Sequence, residues 1–97
     1  MEPVVNFEWD ESKAKRKKLK HGVSFDLARG FDFDGAMVFE DATEDYGEER
    51  FVGIGFIGSK IHVIIYTMRD GNVRVISLRR ATNEEIKSYV TYIERGY

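Results

Sequence analysis

Apolar positions along this chain follow two rhythms. From about residue 36 to 80 they come in short runs, broken by turn residues, whereas after Thr82 they recur at helical spacing. Short runs bounded by Gly, Asp and Ser read as strands. They are Ala36–Glu40 (AMVFE), Arg50–Ile57 (RFVGIGFI), Lys60–Met68 (KIHVIIYTM) and Asn72–Arg79 (NVRVISLR), with turns at Gly58-Ser59 and Asp70-Gly71. The last segment opens with Thr82 and Glu85 in capping-box spacing, and Ile86, Tyr89, Val90 and Ile93 then mark one helix face. Before the strand region, Val4–Trp9 (VVNFEW) reads as a first strand. Asp10 can cap a helix over residues 11–21, and Gly22 stops it. That helix has a thin apolar stripe, Ala14 and Leu19 with the lysine stems, so Trp9 before it and Phe25 after it must pin it down. Ser24 can cap a second short helix, Phe25–Phe31. The order predicts a single α+β domain over residues 1–97. Its sheet is expected to be mostly antiparallel, an N-terminal strand plus a four-strand meander. Two N-terminal helices and one C-terminal helix are expected together on one face.

Composition narrows the class. Ninety-seven residues with 42% apolar content support one core. No apolar run nears the roughly 20 residues that span a bilayer, and MEPVVNFEWD lacks the order of a signal peptide. There is no cysteine, which removes disulfides, thiolate metal sites and thiol nucleophiles. The expectation is a soluble cytoplasmic protein without a cofactor. The net charge of −2 hides a segregation. Six Lys or Arg residues occupy positions 13–20, six carboxylates occupy 40–49, and Arg69, Arg74, Arg79 and Arg80 cluster around the last strand. A bipolar surface suits an anionic partner on one side, although a solvated helix and an acidic loop would look the same.

Candidate chemistry follows from elimination. His21 and His62 lie far apart without metal-ligand spacing, and the acidic loop lacks the pattern of a calcium loop. Gly53 and Gly55 sit inside a strand without a phosphate-loop ending, and read as sites of twist or close packing. What remains is a set of cations around a histidine. Cleaving RNA through its own 2′-OH needs a base, an acid and donors for the charge developing at phosphorus. His21 titrates near neutrality, and adjacent ammonium groups should lower its pKa and keep it available as a base. In the last strand, strict alternation puts Arg79 with Ser77, Val75 and Val73, and Arg80 with Leu78, Ile76 and Arg74; either arginine could reach a cleft. Each residue also has a plainer reading. His21 suits a helix C-terminus, His62 a satisfied position in a sheet, Tyr66 a core aromatic, Arg69 a hairpin partner of Asp70, and Trp9 either core or a base-stacking platform.

Taken together, the motifs resemble the BrnT family of ribonuclease toxins of bacterial type II toxin–antitoxin systems. The resemblance runs through Phe7-Glu8-Trp9-Asp10, Lys13, and Lys20-His21-Gly22-Val23-Ser24-Phe25. It continues through Gly47-Glu48-Glu49-Arg50, Tyr66-Thr67 with Arg69, the run from Arg74 to Thr82, then Glu85 and Tyr89. Lys17 stands where the family usually carries Asn. The resemblance implies a RelE-like fold, metal-independent mRNA cleavage that arrests translation, and a cognate ribbon-helix-helix antitoxin through which the pair meets operator DNA. On this basis His21 is the expected acid or base, with Arg79, Arg69 and Lys20 at the phosphate. Trp9, Lys13, Lys17, Arg50, Tyr66 and Arg80 are expected to bind substrate, without a metal. The alternative is a catalytically weak homologue that binds antitoxin or DNA.

Overall fold

The computed structural model describes residues 6–96. Its elements are β1 (Phe7–Glu8), α1 (Glu11–His21), a 3-10 helix (Phe25–Gly30), β2 (Met37–Glu40), β3 (Phe51–Ile57), β4 (Lys60–Arg69), β5 (Asn72–Arg80) and α2 (Asn83–Arg95). Val4 and Val5 of the expected first strand lie outside the described residues. Local chemistry explains most boundaries. Asp10 accepts from the Lys13 amide at the start of α1, and Gly22 closes it at φ 73°, a left-handed conformation that a side chain would resist. The capping box at α2 is complete, with Thr82 and Glu85 each accepting from the other's backbone amide. At the β4–β5 hairpin, Asp70 (φ 50°) and Gly71 (φ 79°) both take the positive φ of a type I′ turn.

The sheet order is β1-β5-β4-β3-β2. It is mixed rather than mostly antiparallel: β1 runs parallel to β5, and the other three pairings are antiparallel. The whole β2–β4 segment lies between β1 and β5 in sequence, so no hairpin constrains their direction. The helix expectation also changes. There are two α-helices, and the Phe25–Phe31 segment is a 3-10 helix ending at Gly30. Nor do the helices share a face. One cluster packs Phe25, Ala28 and Phe31 on Ile64, Tyr66, Val73, Val75 and Leu78. A second packs Tyr89 of α2 on Ile54 and Val63. Tyr89 also donates to the Gly35 carbonyl (2.9 Å). The near-continuous apolar run of β4 is the cause, since a strand with apolar residues at successive positions needs cover on both sides.

Close packing fixes the first layer. A Cβ on Gly55 would lie 3.0 Å from the Ala36 Cβ and 3.2 Å from the Phe31 ring. The glycine lets that segment settle directly on β3, the close approach its place in a strand foretold.

A bulge then reverses the end of β5. Tyr66 pairs with Val75, but Ile65 pairs with Ser77, so β5 holds one extra residue, Ile76. Leu78 therefore joins Val73 and Val75 in the first cluster. Arg79, opposite Val63, faces the α2 side, and Arg80, opposite His62, faces the other. The sharing of a face by Arg79, Val75 and Val73, expected from strict alternation, is thus overturned.

Candidate functional site

Helix α1 has no buried residue, packs against β5, and is held at its ends. Trp9 meets Phe25 edge-on at 6.4 Å, its Nε1 donates to Glu11 (2.9 Å), and the Arg29 guanidinium lies 5.3 Å from the ring centroid. Phe25 is almost fully buried. The two aromatic pins expected around the helix are in contact with each other.

Two flanks of α1 differ. Trp9, Ala14, Lys15 and Lys18 line a cavity of about 310 Å³ on one side. On the other side Lys13, Arg16, Lys17 and Lys20 line a cavity of about 390 Å³ with Arg50 and Ile76. None of its five cations forms an ion pair with a described residue, and neither do Lys15 and Lys18 on the other flank, whereas Arg29, Arg69, Arg74, Arg79 and Lys87 do. Lys13–Arg16, Lys13–Lys17, Arg16–Lys20 and Lys17–Lys20 are like-charge neighbours at i,i+3 or i,i+4. At a few tenths of a kcal/mol each they destabilise the helix by about 1–2 kcal/mol. An outside anion bound along the row would offset that cost.

Arg50 forms the far wall. Its guanidinium lies 3.8 Å from the Tyr46 ring centroid, and its Nε is buried without a partner, a cost of about 1–3 kcal/mol. Tyr46 is held in turn by Asp41 and Thr43 (3.4 and 3.1 Å). The acidic loop thus serves to hold a cation in place. The Thr43 hydroxyl (2.7 Å) is the main cause of a lowered Asp41 pKa, followed by the Thr43 amide.

His21 ends α1, half-buried. Desolvation pushes its pKa below the ordinary 6.5, and the charges of Lys20, Lys17 and Arg79 push it the same way. Three cations, Lys20, Lys17 and Arg79, thus act on His21 through their charges. Arg79 is itself committed: Nη1 and Nη2 each donate to a Glu85 carboxylate oxygen at 2.7 Å. The Arg79 hydrogen bonds are the largest cause holding Glu85 at about 2, and Glu85 raises the Arg79 pKa in return. Because Glu85 Oε1 also accepts from the Thr82 amide (2.8 Å), the cap of α2 holds the Arg79 guanidinium in place.

The other expected site residues lie elsewhere. Arg69 bonds Glu48 (3.3 Å) at the far hairpin, and its β5 partner Asn72 is seven residues from Arg79, roughly 23 Å along an extended strand. Tyr66 is buried between Phe33 and Phe51, and burial raises its pKa. Arg80 is exposed on the face opposite Arg79, and Trp9 belongs to the flank of α1 away from the five-cation cavity. His62 is buried, with Nδ1 donating to the Lys60 carbonyl (2.9 Å), as its plainer reading held. Three contributors were missed. Arg16 was readable, since it stands three residues after Lys13 and four before Lys20. Tyr46 and the pairing of Glu85 with Arg79 depend on chain reversals that no local spacing announces.

Among the described residues no cluster of His, Cys, Asp and Glu is placed to hold a metal ion, and no helix is long and apolar enough to cross a membrane. Comparison with curated proteins yields no match. The family model described as the ribonuclease toxin BrnT of type II toxin–antitoxin systems matches residues 9–85, from the Trp9 pin through α1, the cation row and β2–β5 to Glu85. The 1.1 Å crystal structure of the Brucella abortus ribonuclease toxin BrnT is similar in three dimensions. Its TM-score is 0.66 at 27% identity, and the match covers 82% of this chain and 100% of that one. The chain therefore belongs to the BrnT family of ribonuclease toxins of type II toxin–antitoxin systems.

Proposed function

We propose that this protein cleaves single-stranded mRNA without a metal, through the RNA's own 2′-OH, with His21 as the base. The observation that carries this reading is the setting of His21: a half-buried imidazole beside Lys20 at the end of the cationic helix, with a pKa lowered by desolvation and by the charges of Lys20, Lys17 and Arg79. The imidazole takes the 2′-hydroxyl proton as that oxygen attacks phosphorus. The bond from phosphorus to the 5′-oxygen breaks, and the departing oxygen takes a proton from the Lys20 ammonium. A 2′,3′-cyclic phosphate and a 5′-hydroxyl remain. Arg79, locked by Glu85, offers its remaining N–H donors to the phosphorane. Arg69 lies too far away to join it, so it has no role in this step.

Antitoxin-free protein incubated with mRNA in EDTA should yield fragments ending in cyclic phosphate. His21→Ala should slow cleavage by about 10²–10⁴-fold. Intact RNA would refute the reading, as would cleavage indifferent to that substitution.

The same reading includes an antitoxin with a ribbon-helix-helix DNA-binding part, operator DNA met through it, a cytoplasmic location and a RelE-like fold. Co-expression with a neighbouring gene of that pattern tests the pairing. A second reading, a catalytically weak homologue that binds antitoxin or DNA, is favoured by one observation: Arg79 already holds a carboxylate. A protein that binds antitoxin tightly yet neither cuts RNA nor arrests growth would establish it.

A further inference from the structure

Beyond the cleavage centre, the five-cation cavity has a shape of its own. From Lys13 to Lys20 its row spans seven residues of α1, about 10.5 Å of helix axis. A stacked strand advances about 3.4 Å per phosphate, so the row faces about three consecutive phosphates. It runs along the helix toward His21, and Lys20 is the member next to that histidine. Arg50 stands across from it, and Ile76 contributes apolar surface between them. A protein segment would need apolar anchors or a free strand edge to dock. Ile76 is the one apolar side chain lining the cavity, whereas the unpaired cations are five. One straight row suits one backbone rather than the two of a duplex.

We propose that Lys13, Arg16, Lys17 and Arg50 form a strand-tracking subsite for single-stranded RNA, holding about three phosphates beside the one cleaved at His21 and so setting a minimum substrate length. Lys17 and Arg16 give the row its continuity. This inference rests on the ribonuclease reading for its placement, but binding and cleavage are separable. Blocking the 2′-oxygen abolishes the attack without touching the phosphates.

The full chain, free of antitoxin, is titrated into labelled 2′-O-methyl oligonucleotides of two to six nucleotides across a series of salt concentrations. Affinity should climb steeply between the dinucleotide and the pentanucleotide, which carries about four linking phosphates, and then level off. The combined variant Lys13→Gln, Arg16→Gln, Lys17→Gln should flatten the log affinity against log salt slope by about 2, at about 0.7 per lost phosphate contact. The variant Lys15→Gln, Lys18→Gln, on the opposite flank of the same helix, should leave the slope within about 0.5 of wild type. Equal flattening in both variants would overturn the subsite, as would affinity that ignores length, a preference for duplex RNA, or displacement by poly-glutamate at equal charge. Cleavage that persists while the slope stays put overturns the subsite alone. Slope-dependent binding with RNA left intact keeps the subsite and refutes the cleavage reading instead.

Discussion

His21 and Glu85 are set by different forces, and pH separates them. Burial and then the cations Lys20, Lys17 and Arg79 lower the His21 pKa from 6.5, so the unprotonated base persists to lower pH than an exposed histidine would allow. The acid limb of kcat/KM should therefore fall below pH 6.5. Lys17→Asn removes one of the depressing charges and should move that limb upward toward 6.5, since desolvation and the other cations remain. A limb that moves to lower pH, or stays still, would contradict the assignment of His21 as base. Glu85 has the opposite character. Its carboxylate, held at about 2 against an ordinary 4.5, binds fewer protons folded than unfolded. Its contribution is fully present above pH 4.5 and disappears as pH falls through 2. Urea unfolding should show wild type losing about 2 kcal/mol over that window, a figure reduced from the full shift because both side chains keep some solvent contact. Glu85→Gln should be less stable at pH 7 and should lack this step.

At the level of elements, α1 is the unusual one. Eleven residues with none buried and six basic side chains form a helix that its own sequence opposes on one flank. Asp10 and Gly22 cap it, and aromatic pins hold it to the fold. Lys17 takes part in two of the four like-charge contacts of the cation row. Lys17→Gln should raise Tm in low salt by about 3–6 °C, from a relief of about 0.5–1 kcal/mol. The gain should shrink at high salt, where such exposed charges are screened. A lower Tm would show that these charges are not in conflict. The 3-10 helix is an element of the opposite kind, short but buried at Phe25 and Ala28. The Phe31 that follows it matters less as helix than as the lid over Gly53 and Gly55.

The whole molecule is a mixed sheet covered on both faces, with α1 packed against β5. Phe25 ties these parts together, because it belongs to the first cluster and also receives the Trp9 ring. Phe25→Ala should cost about 3–5 kcal/mol. It should also raise hydrogen exchange in α1 more than in α2, whose anchor Tyr89 lies in the other cluster. Equal protection loss in both helices would mean that the two clusters act as one cooperative unit.

Sequence alone determined what depends on local geometry. Both α-helices, the caps at Asp10, Gly22 and Thr82, the turns at Gly58 and Asp70-Gly71 and the run of strands follow from spacing and backbone preference, as does the basic character of α1. The family was legible too, because its motifs are spread along the whole chain in order. Tertiary structure decided what depends on pairing and packing. The direction of β1 is set by its partner across the sheet, and which element covers which face by how the segments pack. The facing of Arg79 turned on a single extra residue, Ile76, since one inserted residue reverses all that follow in a strand of period two. Glu85 could be read as half of a capping box, but not as the partner of Arg79. That second role exists only because α2 returns its first turn to the end of β5, where one carboxylate serves the cap and the arginine together.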